Sequence, residues 1–471
     1  MAATKLGQLG QELSRQNPWW RTQDWARFDP DLRKAAEHHL GYRSNCLARL
    51  EEGSLYILRG PRRVGKTVAV KQVIEHLLSG GVPPHAVVRV AADGWSAADL
   101  RTVAGNVALP PVPEGVRRWW FVDEVTGVAG DWAAQIKWLR DNDPEFAEAT
   151  VVLTGSSAEE LASATGVLAG RRGSGSGLDR TVLPVGFRTF ARLVFGDVPD
   201  ADRLELSDLR ERDAYAQLLP WLDVLVRGWE LYLSYGGFPV AVAAARAGTP
   251  IPEWFIEDMF NVVFRDTFAT SRLSITTTMA LLARIGEGMG APANLNAIAR
   301  DVGVSQDVVT RHVGYLRNAY LLWDCPRKAD RTWTARLRAQ DKLYAVDPLV
   351  ARLPHLRNAA QPDLDPTSLA EMQIGMCLQR AACAAGVRWG DDHFLFYVRT
   401  PSRKEIDFVG EPLAGVALEG KYTEGGRWKG DAATVEASEW DGILLTRNVL
   451  DAAGSGAWAV PAGLFAYLVD T

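Results

Sequence analysis

From Ser54 to about Asp202 the sequence predicts an α/β fold, a parallel sheet with helices on both faces. Two observations carry that prediction. Short apolar runs, turns and helical stretches alternate, which is the pattern of strands joined by crossover helices. A glycine-rich segment also stands where the first strand gives way to the first helix. The runs that read as buried strands are Leu55–Leu58, Ala86–Val90, Trp119–Val122 and Val151–Leu153, with a further strand-like run at Thr181–Leu183.

The glycine-rich segment is Gly60-Pro61-Arg62-Arg63-Val64-Gly65-Lys66-Thr67, followed by Val68 at the head of a helix. It fits GxxxxGK[ST], and its place between strand and helix is the context that pattern needs. Glycines let the backbone wrap so that successive N–H groups point at a triphosphate, and the helix N-terminus adds a positive dipole end. Lys66 is expected to reach the β- and γ-phosphates of ATP, and the Thr67 hydroxyl to ligate Mg²⁺. The run Trp119–Val122 ends in Asp123-Glu124. Asp123 is expected to hold Mg²⁺, mostly through water, and Glu124 to polarise the attacking water. After Val151–Leu153, Thr154 and Ser156 put hydroxyls where they can sense the γ-phosphate.

The rest of the chain is read in order. The first forty residues carry Trp19, Trp20 and Trp25, and a helical stretch is expected from Asp31 to Glu52. Gly173-Ser-Gly-Ser-Gly reads as a connector, and residues 204–270 read as mostly helical around a turn at Gly236-Gly237-Phe238-Pro239. Leu295–Val302, Gly303 and Ser305–Asn318 read as two helices around a tight turn, with Ser305 as N-cap. Gln306, Thr310, Arg311 and Arg317 would face outward, side chains able to read base edges. Residues 271–360 hold thirteen Lys and Arg against seven Asp and Glu, inside a chain of net charge −5. In the tail, Asp407 on one strand with Glu419 and Lys421 on the next is the D…ExK arrangement of restriction-endonuclease-like folds. With Glu371 from an upstream helix they form a candidate second Mg²⁺ site.

Composition bounds these readings. A length of 471 residues suggests about three domains at roughly 150 residues each. The 47% apolar and 23% charged content excludes a disordered or collagenous chain. No run of eighteen apolar residues predicts a membrane span, and the first residues do not read as a secretory signal. Cys46, Cys325, Cys377 and Cys383 are scattered, which fits thiols in a reducing cytoplasm. The dispersed histidines give no metal site beyond Mg²⁺.

These marks together resemble a family: the predicted AAA+ ATPases with a C-terminal domain of unknown function, widespread in bacteria and archaea. The resemblance rests on Gly60–Thr67, Asp123-Glu124, Asp131-Trp132, Thr154-Gly155-Ser156-Ser157, Gly170-Arg171, Leu183–Phe190, Gly236–Pro239 and Arg265-Asp266. Members usually show serine where Gly186 stands. The likeness implies a P-loop NTPase sheet followed by a winged helix and an α/β restriction-endonuclease-like C-terminal domain. The expected segments are 1–45 (N-terminal helical), 46–203 (ATPase core), 204–270 (helical lid or linker), 271–358 (winged helix) and 359–471 (nuclease-like). Such ATPases borrow an arginine across subunits, and Arg171 and Arg172 are the candidates.

The expected activity is Mg²⁺-dependent binding and hydrolysis of ATP, with nucleotide state controlling engagement of double-stranded DNA or assembly into a homo-oligomer, away from membranes. Two alternatives stay open: a nucleotide-gated protein-binding switch with an inactive nuclease-like tail, and an ATP-licensed DNA nuclease in genome defence.

Overall fold

The computed structural model describes residues 2–471 except 38–39, 41, 107–108, 272–274, 359, 361, 388, 390–392, 401–403 and 453–455; the side chains of 2–6, 106, 158, 263–271 and 427 are also outside the described set. The chain divides into two units, Met1–Val182 and Leu183–Thr471.

In the first unit, helices α1 (Ala2–Gln16), α2 (Trp25–Phe28) and α3 (Pro30–Glu37) precede β1 (Leu55–Arg59). Then come α4 (Lys66–Ser79), β2 (Val87–Ala91), α5 (Ala97–Asn106), β3 (Trp119–Asp123), α6 (Trp132–Asn142), α7 (Pro144–Glu148), β4 (Thr150–Thr154), α8 (Ala158–Val167) and β5 (Asp179–Thr181). Of the helix expected from Asp31 to Glu52, the described residues show α3 as far as Glu37 and no helix at 40 or 42–44. Helix α3 buries none of its residues, so no apolar face draws a longer helix onto the sheet, and a single 3-10 turn at Asn45–Leu47 follows. His38 and His39 lie outside the described residues.

The strands run in the order β2-β3-β4-β1-β5 and every pairing is parallel. β1, β3 and β4 are buried at all five positions, as a sheet covered on both faces requires. On one face Leu55, Ile57, Trp120, Val122, Val151 and Leu153 pack with Ile136 and Leu139 of α6. Placing β4 between β1 and β3 brings the C-terminal ends of three strands side by side, where ligands bind in open parallel sheets.

β2 is an edge strand, and the N-terminal segment covers it. The Arg89 N–H donates to Asn17 Oδ1 at 2.6 Å, and Asn17 Nδ2 donates to Arg89 O at 2.8 Å. The Ala91 N–H donates to Gln16 Oε1 at 2.8 Å, and both Trp19 and Trp20 Nε1 donate to Val87 O. Side chains thus take the place of a sixth strand and block edge-to-edge pairing.

The second unit holds α9 (Phe187–Phe195), α10 (Arg212–Gln217), α11 (Leu222–Tyr235), α12 (Pro239–Ala247), α13 (Glu253–Ser271), α14 (Ile275–Glu287), α15 (Leu295–Val302) and α16 (Gln306–Asn318). The antiparallel hairpin β6 (Leu322–Cys325) and β7 (Lys342–Ala345) is next, then α17 (Pro348–Arg357) and α18 (Pro366–Ala384). β8 (Phe396–Arg399), β9 (Glu405–Val409), β10 (Val416–Gly420), α19 (Trp428–Glu436), β11 (Asp441–Thr446), β12 (Trp458–Pro461) and α20 (Ala462–Val469) complete it. Its sheet runs β12-β11-β10-β9-β8, parallel from β12 to β10 and antiparallel from β10 to β8.

The family-like marks meet inside this unit. The Val185 N–H donates to Gly237 O at 2.8 Å, and the Gly237 N–H donates to Asp347 Oδ2 at 2.7 Å. Gly236 has φ +76, and a Cβ there would stand 2.1 Å from Asp347 Oδ1. A Cβ on Gly186 would stand 2.4 Å from Asp470 Oδ1, so a serine at 186 has no room while Asp470 holds Arg380 at 2.6 Å and the Phe187 N–H at 2.7 Å. The side chains of Arg265 and Asp266 lie outside the described residues.

Asn17→Ala removes both partners of the Arg89 backbone at the β2 edge. It is expected to cost about 1–3 kcal/mol, read as a lower urea midpoint with an unchanged slope.

Candidate nucleotide site and a second carboxylate cluster

The loop between β1 and α4 is shaped by backbone that only glycine adopts freely. Gly60 has φ +146, and a Cβ there would meet Val182 O at 2.1 Å; Gly65, at φ +98, is the left-handed residue before α4. Lys66 opens α4 and is buried. Its ammonium donates to Gly60 O at 2.8 Å and Pro61 O at 2.9 Å, and stands 3.9 Å from Glu124 Oε1. Burial pulls its pKa down to about 8 against the opposing pull of Glu124 and Asp123.

Asp123 ends β3 and is 3% exposed. Burial alone would raise its pKa, but the Arg89 guanidinium and hydrogen bonds from Thr154, Arg89 and Thr67 hold it below the ordinary carboxylate value. Arg89 Nη2 and Thr154 Oγ1 both lie 2.6 Å from its oxygens. Thr154 Oγ1 also accepts the Glu124 N–H at 3.0 Å, so one hydroxyl at the end of β4 fixes both acidic residues. Glu124 turns into the left-handed region at φ 54, and its carboxylate accepts the Ser156 hydroxyl at 3.3 Å. Arg62 Nε donates to the same hydroxyl at 3.3 Å.

Lys66, Thr67, Asp123, Glu124, Thr154 and Ser156 are therefore brought together. Arg171 is not. It pairs with Asp141 at 2.7 Å, and its neighbour Arg172 meets Asp179 at 2.7 Å while its carbonyl accepts the Leu55 N–H. Leu55 begins β1, whereas the phosphate-binding loop follows the strand's other end. The residue that sequence reasoning missed is Arg89, and its signal was a lone cation inside the apolar run of β2.

In the second unit, Glu371 on α18, Asp407 on β9, Glu419 on β10 and Lys421 just beyond also converge. The Gly420 N–H donates to Asp407 Oδ2 at 2.8 Å, the Asp407 N–H to Glu419 Oε2 at 3.2 Å, and Lys421 pairs with Glu419 at 2.8 Å. Two groups at this cluster went unforeseen. Lys342 of β7 pairs with Glu371, Glu405 and Asp407, and the Tyr344 hydroxyl donates to Glu371. Burial, then the charge of Asp407, pushes the Glu371 and Glu419 carboxyls well above their ordinary range. Among the described residues no group of three or more His, Cys, Asp or Glu is arranged to hold a metal ion.

In the helix pair, Asn294 caps α15, Gly303 ends it at φ 77, and Ser305 caps α16. Val309, Val313 and Leu316 are buried and Gln306, Thr310 and Arg311 exposed. Arg317 pairs with Asp324 at 2.9 Å. All four cysteines are free, and no described helix is long and apolar enough to cross a membrane.

Comparison with known proteins agrees with the first unit. Residues 52–191 match a family described as an AAA domain, and 226–359 match a domain of unknown function, DUF8612. No curated protein matches the chain. Among solved structures, a Walker-type ATPase of Pyrococcus abyssi is 13% identical, over 71% of this chain and 95% of that one, at TM-score 0.35. The ORC2 protein of Aeropyrum pernix, in complexes with ADPNP and ADP, is 13% identical over 70% and 95%, at TM-score 0.33. RuvB of Thermotoga maritima is 15% identical over 65% and 90%, at TM-score 0.27. Residues 52–191 are thus similar to AAA domains, and their parallel sheet and the loop from Gly60 to Thr67 have the P-loop form.

Arg89→Met leaves Asp123 buried without its cation, a loss of about 3–5 kcal/mol at neutral pH. Because the folded pKa of Asp123 is depressed, the pair's contribution is present above the unfolded value of about 3.9 and fades as pH falls through the lower folded one. In the variant, burial drives that pKa up. The deficit measured by urea unfolding should therefore shrink between pH 7 and pH 4; a deficit independent of pH contradicts this account of Asp123.

Proposed function

We propose that the chain hydrolyses ATP with Mg²⁺ at the ends of β1, β3 and β4, and that nucleotide state governs its engagement of double-stranded DNA. The observation that carries the ATPase reading is the meeting of Lys66, Thr67, Asp123 and Glu124 at one point. Lys66 sits inside the loop, ready to exchange the Gly60 and Pro61 carbonyls for phosphate oxygens. Backbone N–H groups of the loop from Gly60 to Val68, other than Pro61, which has none, cradle the triphosphate. Thr67 and Asp123 already share a hydrogen bond and offer hard oxygen donors of the kind Mg²⁺ takes alongside phosphate and water. Bound there, Mg²⁺ would neutralise charge on the β- and γ-phosphate oxygens. Glu124 orients the attacking water and takes its proton, held in place through Thr154 and Ser156, which report the γ-phosphate to β4. Arg171, at the far end of its own sheet, can serve only a neighbouring copy, so the arginine role implies assembly.

DNA engagement is supported by the exposed Gln306, Thr310 and Arg311 on α16, by the basic balance of 271–360, and by the order of three helices and a hairpin, which suits a winged helix. The order α18, β8–β10, α19, β11 likewise suits a restriction-endonuclease-like fold. Under this reading the segments 1–45, 46–203, 204–270, 271–358 and 359–471 are N-terminal cover, ATPase core, lid, winged helix and tail.

Lys66→Ala is expected to abolish ATP binding. Glu124→Gln should bind ATP but lose at least 100-fold in turnover, in line with loss of a general base (roughly 10²–10⁴-fold). Double-stranded DNA should stimulate the wild type, with an effect that falls as salt rises. Normal hydrolysis by Glu124→Gln removes the base assignment, and turnover indifferent to DNA favours the protein-binding switch.

A further inference from the structure

The tail carboxylates that would gather a divalent cation have gathered around an ammonium instead. The side chain of Lys342 is 0% exposed, and its Nζ lies 2.7 Å from Asp407 Oδ1, 2.9 Å from Glu405 Oε1 and 3.1 Å from Glu371 Oε1. Of the three N–H donors of an ammonium, two go to Glu371 and Asp407 as hydrogen bonds, and the Glu405 carboxylate pairs with the charge.

Most other oxygens of the cluster are also engaged. Asp407 Oδ2 accepts the Gly420 N–H, Glu419 Oε2 accepts the Asp407 N–H, and Glu419 Oε1 faces Lys421. Glu371 Oε1 additionally accepts the Tyr344 hydroxyl, and Glu405 Oε2 meets Arg399 at 3.2 Å. The carboxyl groups of Glu371, Glu405, Asp407 and Glu419 thus stand against Lys342, Lys421 and Arg399.

The arrangement does not fit a divalent ion. Mg²⁺ needs oxygens in near-octahedral order at about 2.1 Å, and Ca²⁺ needs six or more at about 2.3–2.6 Å. An ion bridging Glu371 and Asp407 would have to stand where the Lys342 nitrogen stands, and two cations cannot share that point. The pairing of β7 with β6 fixes the register of Lys342, so its side chain is delivered to this cluster by the fold of the hairpin.

We propose that Lys342 is the resident cation of this cluster, fastening the β6–β7 hairpin to α18 and β9 and keeping divalent metal, and with it metal-dependent DNA cleavage, out of the tail. The inference is independent of the ATPase reading: it concerns residues of the second unit alone. It also separates the open alternatives for the tail, since a nuclease working through Glu371, Asp407 and Glu419 would need this place for metal.

The test uses the full chain without nucleotide and Mn²⁺ as the probe, with bound ion counted by electron paramagnetic resonance. Wild type is expected to bind no more Mn²⁺ than Asp407→Asn does, and to leave supercoiled plasmid uncut with either Mn²⁺ or Mg²⁺. Lys342→Ala should melt at a lower temperature and gain an Mn²⁺ site. Millimolar Mn²⁺ should then raise its melting temperature by roughly 5 °C, and Asp407→Asn added to it should erase that gain. A folded Lys342→Ala that gains no Mn²⁺ overturns the proposal. So does an Mn²⁺ site in wild type that vanishes in Asp407→Asn, and this second comparison decides the matter should Lys342→Ala fail to fold.

Discussion

A carboxylate taken out of water must be paired or neutralised, and Asp123 is the place where that requirement organises the first unit. It stands at the buried end of β3 because the sheet order puts β4 between it and the phosphate-binding loop. Thr154 at the end of β4 then bonds its carboxylate and the Glu124 backbone together. Arg89 reaches over from β2 to supply the charge. Since β2 is the sheet's edge, Arg89 in turn needs its own backbone held, and Asn17 does so from the N-terminal segment. A chain of contacts thus runs from the first helix to the candidate nucleotide site.

The same physical requirement recurs in the second unit with a different sheet. There several acidic groups are buried together at Glu371, Asp407 and Glu419, and Lys342 is delivered into their midst by a hairpin strand. In both units a cation on a strand is paired with buried acid. The two sites differ in what is left over. Beside Asp123 there is a glycine-rich loop, a helix N-terminus and a hydroxyl; the two Asp407 oxygens are already taken by Lys342 and the Gly420 N–H.

This explains what could be read from the sequence and what could not. The parallel sheet, the loop from Gly60 to Thr67 and the acidic pair after β3 were legible, because strand runs, glycines and terminal carboxylates are local signals. The tail residues Glu371, Asp407, Glu419 and Lys421 were legible as a group, but not the identity of the cation among them. Arg89 and Lys342 escaped because their meaning depends on which strand lies beside which, and no local pattern carries that. Each left a trace all the same: one charge in Val-Val-Arg-Val and one opening Lys-Leu-Tyr-Ala-Val, where an unpaired charge could not be buried. The edge cover by Gln16, Asn17, Trp19 and Trp20 was hidden for the same reason. The overlong helix expected after Asp31 was a failure of another kind, since propensity had no apolar face to act on.

Under the proposed function, Thr67 and Asp123 turn the loop from Gly60 to Thr67 into a metal-assisted nucleotide site. The most direct test of that role is an equilibrium titration of the wild-type chain with a fluorescent ATP analogue, with and without Mg²⁺, repeated on Asp123→Asn. The account predicts one nucleotide per chain, bound at least tenfold more tightly with Mg²⁺, about 1.4 kcal/mol, and loss of that gain in Asp123→Asn. Binding that is absent, or equally tight with and without Mg²⁺ in the wild type, would contradict it.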